Sequence, residues 1–399
     1  MDNLFPSGIA RGDAFCNRET EKARLKHNVS TITHTLIISP RRYGKTSLVL
    51  EVLRATKTPH AYIQFFNAFR DASVIKRFIA GFNSLLTQIT PPSRLALKKL
   101  GELIKHGKVV LKTQGVEAEF GLEPIAQDPL SIIEGLLKDI EQVAKKYKKK
   151  VVIFLDEFQD ITHSDLSNEL QSMLRDFIQL TDSITFIISG SHRHMLMKLF
   201  DDKNKPFYKL FDRILLNRIA QTHYETFLQM RALETWKKPL PLDTIKMIAQ
   251  LTGRHAYYFN RLCQKVWTST HLPNSADIYQ QWQALAEEEF STIALELASL
   301  TKNQRIILEM MAKHDFLQKP TGIAFLNEVG LPHRSVLLAI DTLEKNDLVE
   351  RTQSGYQVLD PLMKYVLSAE GGSTSRFCQP TRQLTSRLQA SYTILYSVK

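Results

Sequence analysis

The stretch "IISPRRYGKTSLVLEVL", residues 37 to 53, constrains the fold more than any other part of the chain. An apolar run that reads as a buried strand ends at Ser39, a short loop follows, and Leu48, Val52 and Ala55 then recur at helical spacing. A strand that passes through a tight loop straight into a helix is the building unit of a parallel sheet, because the helix must carry the chain back before the next parallel strand can begin. Four further apolar runs agree: "AYIQFF" at 61 to 66, "VVIFL" at 151 to 155, "ITFIIS" at 184 to 189 and "RILLN" at 213 to 217. Near-continuous apolar strands are those buried on both faces, so a mostly parallel sheet covered by helices is expected.

Backbone N–H groups at the start of the helix after Gly44, together with the positive end of its dipole, make the loop an anion cradle. Gly44, Lys45, Thr46 and Ser47 have the chemistry of a triphosphate-binding loop. Gly44 permits close backbone approach, Lys45 brings charge to the β- and γ-phosphates of ATP, and the Thr46 hydroxyl suits Mg2+. Ser39 stands where such loops open with glycine, and Pro40 pushes it toward extended backbone, which suits the end of a strand. Arg41 and Arg42 read either as added charge near phosphate or as exposed loop arginines, and Tyr43 completes the loop.

In "VVIFLDEFQDI" two acids follow a strand-like run, at the end of a parallel strand where ligands bind. Asp156 is placed to hold Mg2+, and Glu157 to orient or deprotonate the water that attacks a γ-phosphate. Alone, the aspartate reads equally well as a helix cap. Ser189 and Ser191, after the next strand, can sense the γ-phosphate or the water, or can cap the helix that follows. His192 and His194 form an H-x-H without a third ligand in view.

From about residue 219 the pattern is helical, and residues 297 to 370 show three short helical patterns, then "VERTQSGYQVLD", a strand, turn and strand. Three helices and a hairpin make a winged helix, in which Arg334, Ser335, Asp341 and Glu344 would point outward from the third helix. Two acids on that face oppose DNA phosphate. The expected domains are an α/β P-loop unit at 1–218, a helical lid at 219–296, the winged helix at 297–370, and a basic, disordered tail at 371–399.

The net charge of +11 points either to a polyanionic partner or to solvated faces, and part of it is local, in "KKYKKK" at 145 to 150 and in the tail. No apolar run approaches the roughly 20 residues of a membrane span. The opening "MDNLFPSGIARGD" lacks the pattern of a secretion signal, so a cytoplasmic location is expected. Cys16, Cys263 and Cys378 suit neither disulfides nor zinc.

"FCNRETEKARL", "ISPRRYGKTSLVLEVL", "VVIFLDEFQDI", "FIISGS…PFYKLFDRILL" and "LTGRHAYYFNRLC" occur in the order and spacing of the AAA+-related archaeal-type ATPase family, close to the signal-transducing (STAND) ATPases, which this chain resembles over about 10 to 370. The resemblance implies an AAA+-like P-loop fold with a helical lid, and ATP and Mg2+ as ligands. It places Phe15, Asn17, Arg18 and Glu19 near the adenine, and His255, in Gly253-Arg254-His255-Ala256, near the phosphates. Arg254 replaces a common glycine there, and Ala256 a usual proline. Arg193, Arg213 and Arg254 are candidates for an arginine finger. Asp360 and Pro361 match the segment that closes the winged helix. The resemblance implies an ATP-driven switch whose winged helix contacts a protein or DNA, with nucleotide-dependent self-association. The alternatives are a DNA-acting ATPase like replication initiators or transposition helpers, and a scaffold that hardly hydrolyses ATP.

Overall fold

In the computed structural model the described residues are 4–90, 109–113, 116–120 and 129–370. The expected basic tail at 371–399 lies outside them. The chain divides after Ile219 into two units.

The first unit runs α1 (Glu19–Thr31), β1 (Thr35–Ile38), α2 (Lys45–Ala55), β2 (His60–Gln64), α3 (Asp71–Ile89), β3 (Val109–Thr113), β4 (Val116–Phe120), α4 (Pro129–Lys146), β5 (Val151–Asp156), α5 (Ser167–Leu180), β6 (Ile184–Gly190), α6 (Arg193–Asp201) and β7 (Asp212–Leu215). Five of the strands form one sheet in the order β2-β5-β6-β1-β7, parallel throughout. The three inner strands are buried at every residue, whereas β2 and β7 at the edges are only partly covered. That contrast follows from pairing and packing: a central strand has neighbours on both sides and helices on both faces. One face holds α1 and α2 over a core of Leu25, Leu48, Val52 and Phe154; the other holds α3 to α6 over a larger core rich in Phe78, Phe82, Phe158 and Phe207.

The second apolar run stops being a strand earlier than its sequence suggests. Phe65 donates its N–H to the Asp156 carbonyl at 2.8 Å and turns away, which leaves Phe66 44% exposed. Between β2 and β5 the structure also has a feature the helical patterns did not announce: β3 and β4 pair as an antiparallel hairpin.

The second unit begins with α7 (Gln221–Trp236), α8 (Leu242–Leu251), α9 (Ala256–Val266) and α10 (Ser275–Ala298), and continues with α11 (Lys302–Ala312), α12 (Ile323–Val329), α13 (His333–Lys345), β8 (Val349–Thr352), β9 (Gly355–Val358) and α14 (Pro361–Glu370). Asn274 with Asp277, and Thr301 with Gln304, form capping boxes that fix where α10 and α11 start. Helices α11 to α13 and the β8–β9 hairpin are the winged helix, with Leu317 bridging to Tyr356 at the hairpin. Asp360 accepts from the N–H groups of Leu362 and Met363 and so caps α14; Tyr258 on α9 donates its hydroxyl to the same carboxylate. Trp282 on α10 is fully buried, edge-on to Tyr258 and Tyr365. No helix among the described residues is long and apolar enough to cross a membrane.

Candidate functional site

The loop between β1 and α2 lies at the edge where parallel strands end. Ser39 and Pro40, directly after the central strand β1, are buried, with Ser39 2% exposed. Gly44 adopts φ 91, a left-handed conformation that glycine takes without Cβ strain, and its carbonyl accepts the first helical bond, from Leu48 N–H at 2.9 Å. Lys45, 4% exposed, bends back over the loop, where its ammonium donates to the carbonyls of Ser39 at 3.3 Å and Pro40 at 3.1 Å. Arg41 and Arg42 are exposed; Arg41 lies over the Phe66 ring, and Arg42 has φ 64. Tyr43 turns inward, 3% exposed, with the Arg218 guanidinium 6.0 Å from its ring centre.

The N-terminal segment is tied to this loop. Arg18, 6% exposed, reaches Glu21 at 3.1 Å and the Tyr43 carbonyl at 3.4 Å. The Ser47 hydroxyl accepts from Ala10 N–H at 3.1 Å, and Glu51 accepts from Gly12 N–H at 3.0 Å. Asn17 and Arg18 hold consecutive left-handed conformations, φ 57 and 71, just before α1.

Asp156 ends β5 and is 1% exposed. Its carboxylate is the hub of the site: Thr46 Oγ1 donates to Oδ2 at 2.7 Å, Tyr62 OH donates to Oδ2 at 3.2 Å, Ser189 Oγ donates to Oδ1, and Glu157 N–H donates to Oδ1 at 3.1 Å. Three strands and the head of α2 therefore converge on one buried anion. Its side chain caps no helix. Burial, with Asp156 beside it, pushes the Tyr62 phenol well above its ordinary pKa, so it keeps the proton that it donates.

Glu157, at φ 53, stands at the turn into a short 3-10 segment, Phe158–His163. Oε2 alone receives three bonds: from Gln159 Nε2 at 2.8 Å, Ser191 N–H at 2.9 Å and Ser191 Oγ at 2.7 Å. Burial pushes this carboxyl up, but the Lys45 charge and the Gln159 and Ser191 bonds outweigh it and hold the group below its ordinary range. It is therefore an anion at neutral pH. Ser189 and Ser191 bind the acids; the N-cap of α6 is His192, whose side chain makes no cap bond.

Two contributors were not singled out in the sequence. Tyr62 sits opposite Phe154 on the neighbouring strand, a pairing invisible before strand order is known. Gln159, 1% exposed, joins Glu157 to Asp160, with 3.0 Å to Asp160 Oδ1. Its signal was present: a polar residue in "DEFQDI", where the flanking Phe158 and Ile161 are apolar. Gly190 makes room for it, since a Cβ there would meet Gln159 Oε1 at 2.0 Å.

Arg213 of the first unit is engaged elsewhere: it pairs with Asp201 and donates to the Phe200 carbonyl at 3.1 Å. His192 and His194 belong to no group of three metal-ligating side chains among the described residues. His255 lies in the second unit, 4% exposed, at the start of α9. Gly253 and Arg254 before it both adopt left-handed backbone, φ 52 and 58, a conformation that glycine takes without Cβ strain and Arg254 does not. On α13, Arg334 and Asp341 are exposed while Ser335 and Glu344 are half-buried. Leu337 and Leu338, 45% and 60% exposed, make that face more apolar than the four polar residues suggested.

Over residues 15–262 the sequence matches the family described as an ATPase domain predominantly from Archaea, and over residues 288–369 one described as a probable winged helix domain. No curated protein matches the chain. Among solved structures, the Walker-type ATPase paby2304 of Pyrococcus abyssi is similar at 16% identity, with a TM-score of 0.67 over 91% of this chain and 99% of that one. The Aeropyrum pernix ORC2 protein, solved as ADPNP-ADP complexes, is similar at 14% identity, with a TM-score of 0.58 over 98% of each. At such identities the likeness concerns the fold.

Proposed function

This chain belongs to the archaeal-type ATPase family, and we propose that it is a cytoplasmic, Mg2+-dependent ATPase whose nucleotide state switches its contact with a partner. The observation that carries the reading is the meeting of Thr46 and Asp156 at 2.7 Å, beside Lys45 at the head of α2 and Glu157 one residue further on.

A hydroxyl and a carboxylate in direct contact are hard oxygen donors of the kind Mg2+ prefers, so the residues fit the ion. Bound there, Mg2+ would neutralise charge on the β- and γ-phosphates. Backbone N–H groups from Arg41 to Ser47 hold phosphate oxygens, and Lys45 exchanges its loop carbonyls for the β- and γ-phosphates. Glu157 accepts a proton from the attacking water through Oε1, because the three bonds it receives within the described residues all fall on Oε2. Ser191 and Gln159 set its orientation, and Ser189 steadies Asp156. Asn17 and Arg18 flank the adenine, a role supported by family resemblance.

For the partner, the exposed Leu337 and Leu338 with Asp341 on α13 favour a protein over DNA, since apolar and acidic groups give phosphate nothing to bind. Association of copies in the ATP state belongs to the same reading. The deciding experiment is ATP turnover with Mg2+ and with EDTA, alongside mass measurement in ATP and ADP. Turnover abolished by EDTA and restored by Mg2+ is expected. Turnover that persists in EDTA would remove the metal from the reading, and no turnover under any condition would leave a binding scaffold.

A further inference from the structure

Strands of a parallel sheet all begin at one edge, and here the chain delivers cations to that edge, away from the loops that follow the strands. Lys146, the last residue of α4, and Lys148 and Lys149, between α4 and β5, are exposed. Arg175 is exposed near the end of α5, which leads to β6, and Lys203 and Lys205 lie in the loop that leads to β7. Helices α4 and α5, and Phe207 and Phe211 of that loop, pack into the same core beside the sheet, so these cations share one face as well as one edge.

Two contacts make the strip continuous. Lys145 pairs with Asp182, between α5 and β6, at 2.9 Å. Arg175 lines a cavity of about 350 Å³ together with Lys203 and Lys205. The lysine run is an ordered turn: Lys149 N–H donates to Ala144 O at 2.9 Å and Lys148 N–H to Lys145 O at 3.1 Å, with Lys148 at φ 50, which closes the end of α4.

The acids at this edge are already engaged. Asp182 holds Lys145, Asp201 holds Arg213, Asp176 lies 4.0 Å from Arg175, and the Asp202 side chain accepts from the Asn204 N–H at 2.9 Å. Among the described residues, no acid pairs with Lys146, Lys148, Lys149, Lys203 or Lys205.

We propose that this edge binds the phosphodiester backbone of nucleic acid without reading its sequence. From β5 to β7 the strip crosses three strand spacings, about 14 Å, and a nucleic-acid strand carries a charge every ~3.4 Å along its axis, so several successive phosphates fit. A protein partner fits less well, because protein interfaces centre on apolar anchors and exclude lysine from that centre. The surface is separate from the phosphate loop, and the inference goes beyond the proposed ATPase reading.

The test uses the full chain and a labelled random-sequence duplex of about 30 base pairs, with affinity followed against salt. The combined variant K146E/K148E/K149E/K203E/K205E is expected to bind at least ~10-fold more weakly at about 100 mM salt, with a shallower salt slope. ATP affinity, measured in the same preparations, is expected to be unchanged. If charge reversal unfolds the chain, the corresponding Lys→Gln set replaces it. The proposal is overturned if the parent chain fails to bind duplex at low salt, or if the variant keeps the parent's affinity and slope. It is also overturned if Arg334→Glu on α13 alone removes binding, or if polyglutamate of matched charge displaces the duplex equally well. Failure of ATP binding with duplex binding intact would sink the ATPase reading and leave this one standing.

Discussion

At the edge where its strands end, the parallel sheet holds Asp156 and Ser189, 1% and 0% exposed and bonded to each other; at the edge where they begin, it holds lysines in open solvent. Burial makes the difference chemical. The carboxylates at the first edge need several donors each to remain charged out of water, and that same web fixes their geometry and lowers the proton affinity of Glu157. At the second edge each lysine is individually weak and screened by salt, and only their number gives the surface an effect. Damage to a single residue should therefore be severe at one edge and slight at the other.

The strongest challenge to that contrast is Lys45→Ala. Loss of the ammonium is expected to weaken ATP binding by at least ~100-fold, the cost of a buried charge-assisted contact to phosphate, while any single lysine change at the opposite edge leaves ATP affinity within about twofold. A fluorescent-nucleotide titration checks both arms, and equal sensitivity at the two edges would dissolve the contrast. Glu157→Gln comes next: turnover is expected to fall about 10²–10⁴-fold with ATP affinity retained, as read by steady-state hydrolysis beside the same titration. A variant with the parent rate would move the proton acceptor elsewhere.

Gly190→Ala probes packing instead of charge. The added methyl would collide with Gln159, so a loss of about 1–3 kcal/mol and a Tm lower by several degrees are expected in a thermal melt, with slower turnover because Gln159 no longer holds Glu157. The mildest test is Ser191→Ala, which removes one of three donors to Glu157 Oε2. The Glu157 carboxyl then rises toward its ordinary range. Because its folded pKa is depressed, its contribution to stability is present above the unfolded value and is lost as pH falls through the folded one. The acid limb of the pH–rate profile is therefore expected to move to higher pH in the variant, and an unmoved limb would detach Ser191 from Glu157.

Local chemistry was easier to read from the chain than pairing. The inner strands, the loop from Ser39 to Gly44, the head of α2 and the acids at the end of β5 were legible because each depends on neighbours in sequence. Strand order does not, so neither the Tyr62 hydroxyl on Asp156 nor the direct Thr46–Asp156 contact could be derived from spacing. Ser189 and Ser191 read equally as sensors of phosphate or water and as helix caps, and it is the position of β6 beside β5, absent from the sequence, that brings them to the acids. The apolar face of α13 was missed for another reason: Leu337 and Leu338 sit where either burial or exposure satisfies the helical period.

Tyr258 comes three residues after His255, and its hydroxyl ends on Asp360, 102 positions along the chain, at the cap of the last described helix. A tug on α14 is thereby transmitted to α9 through the Tyr258 phenol, beside the packing of Trp282 against Tyr258 and Tyr365. Tyr258→Phe would cut that bond without emptying the space it fills, leaving the last described helix and the His255 turn coupled by the packing around Trp282.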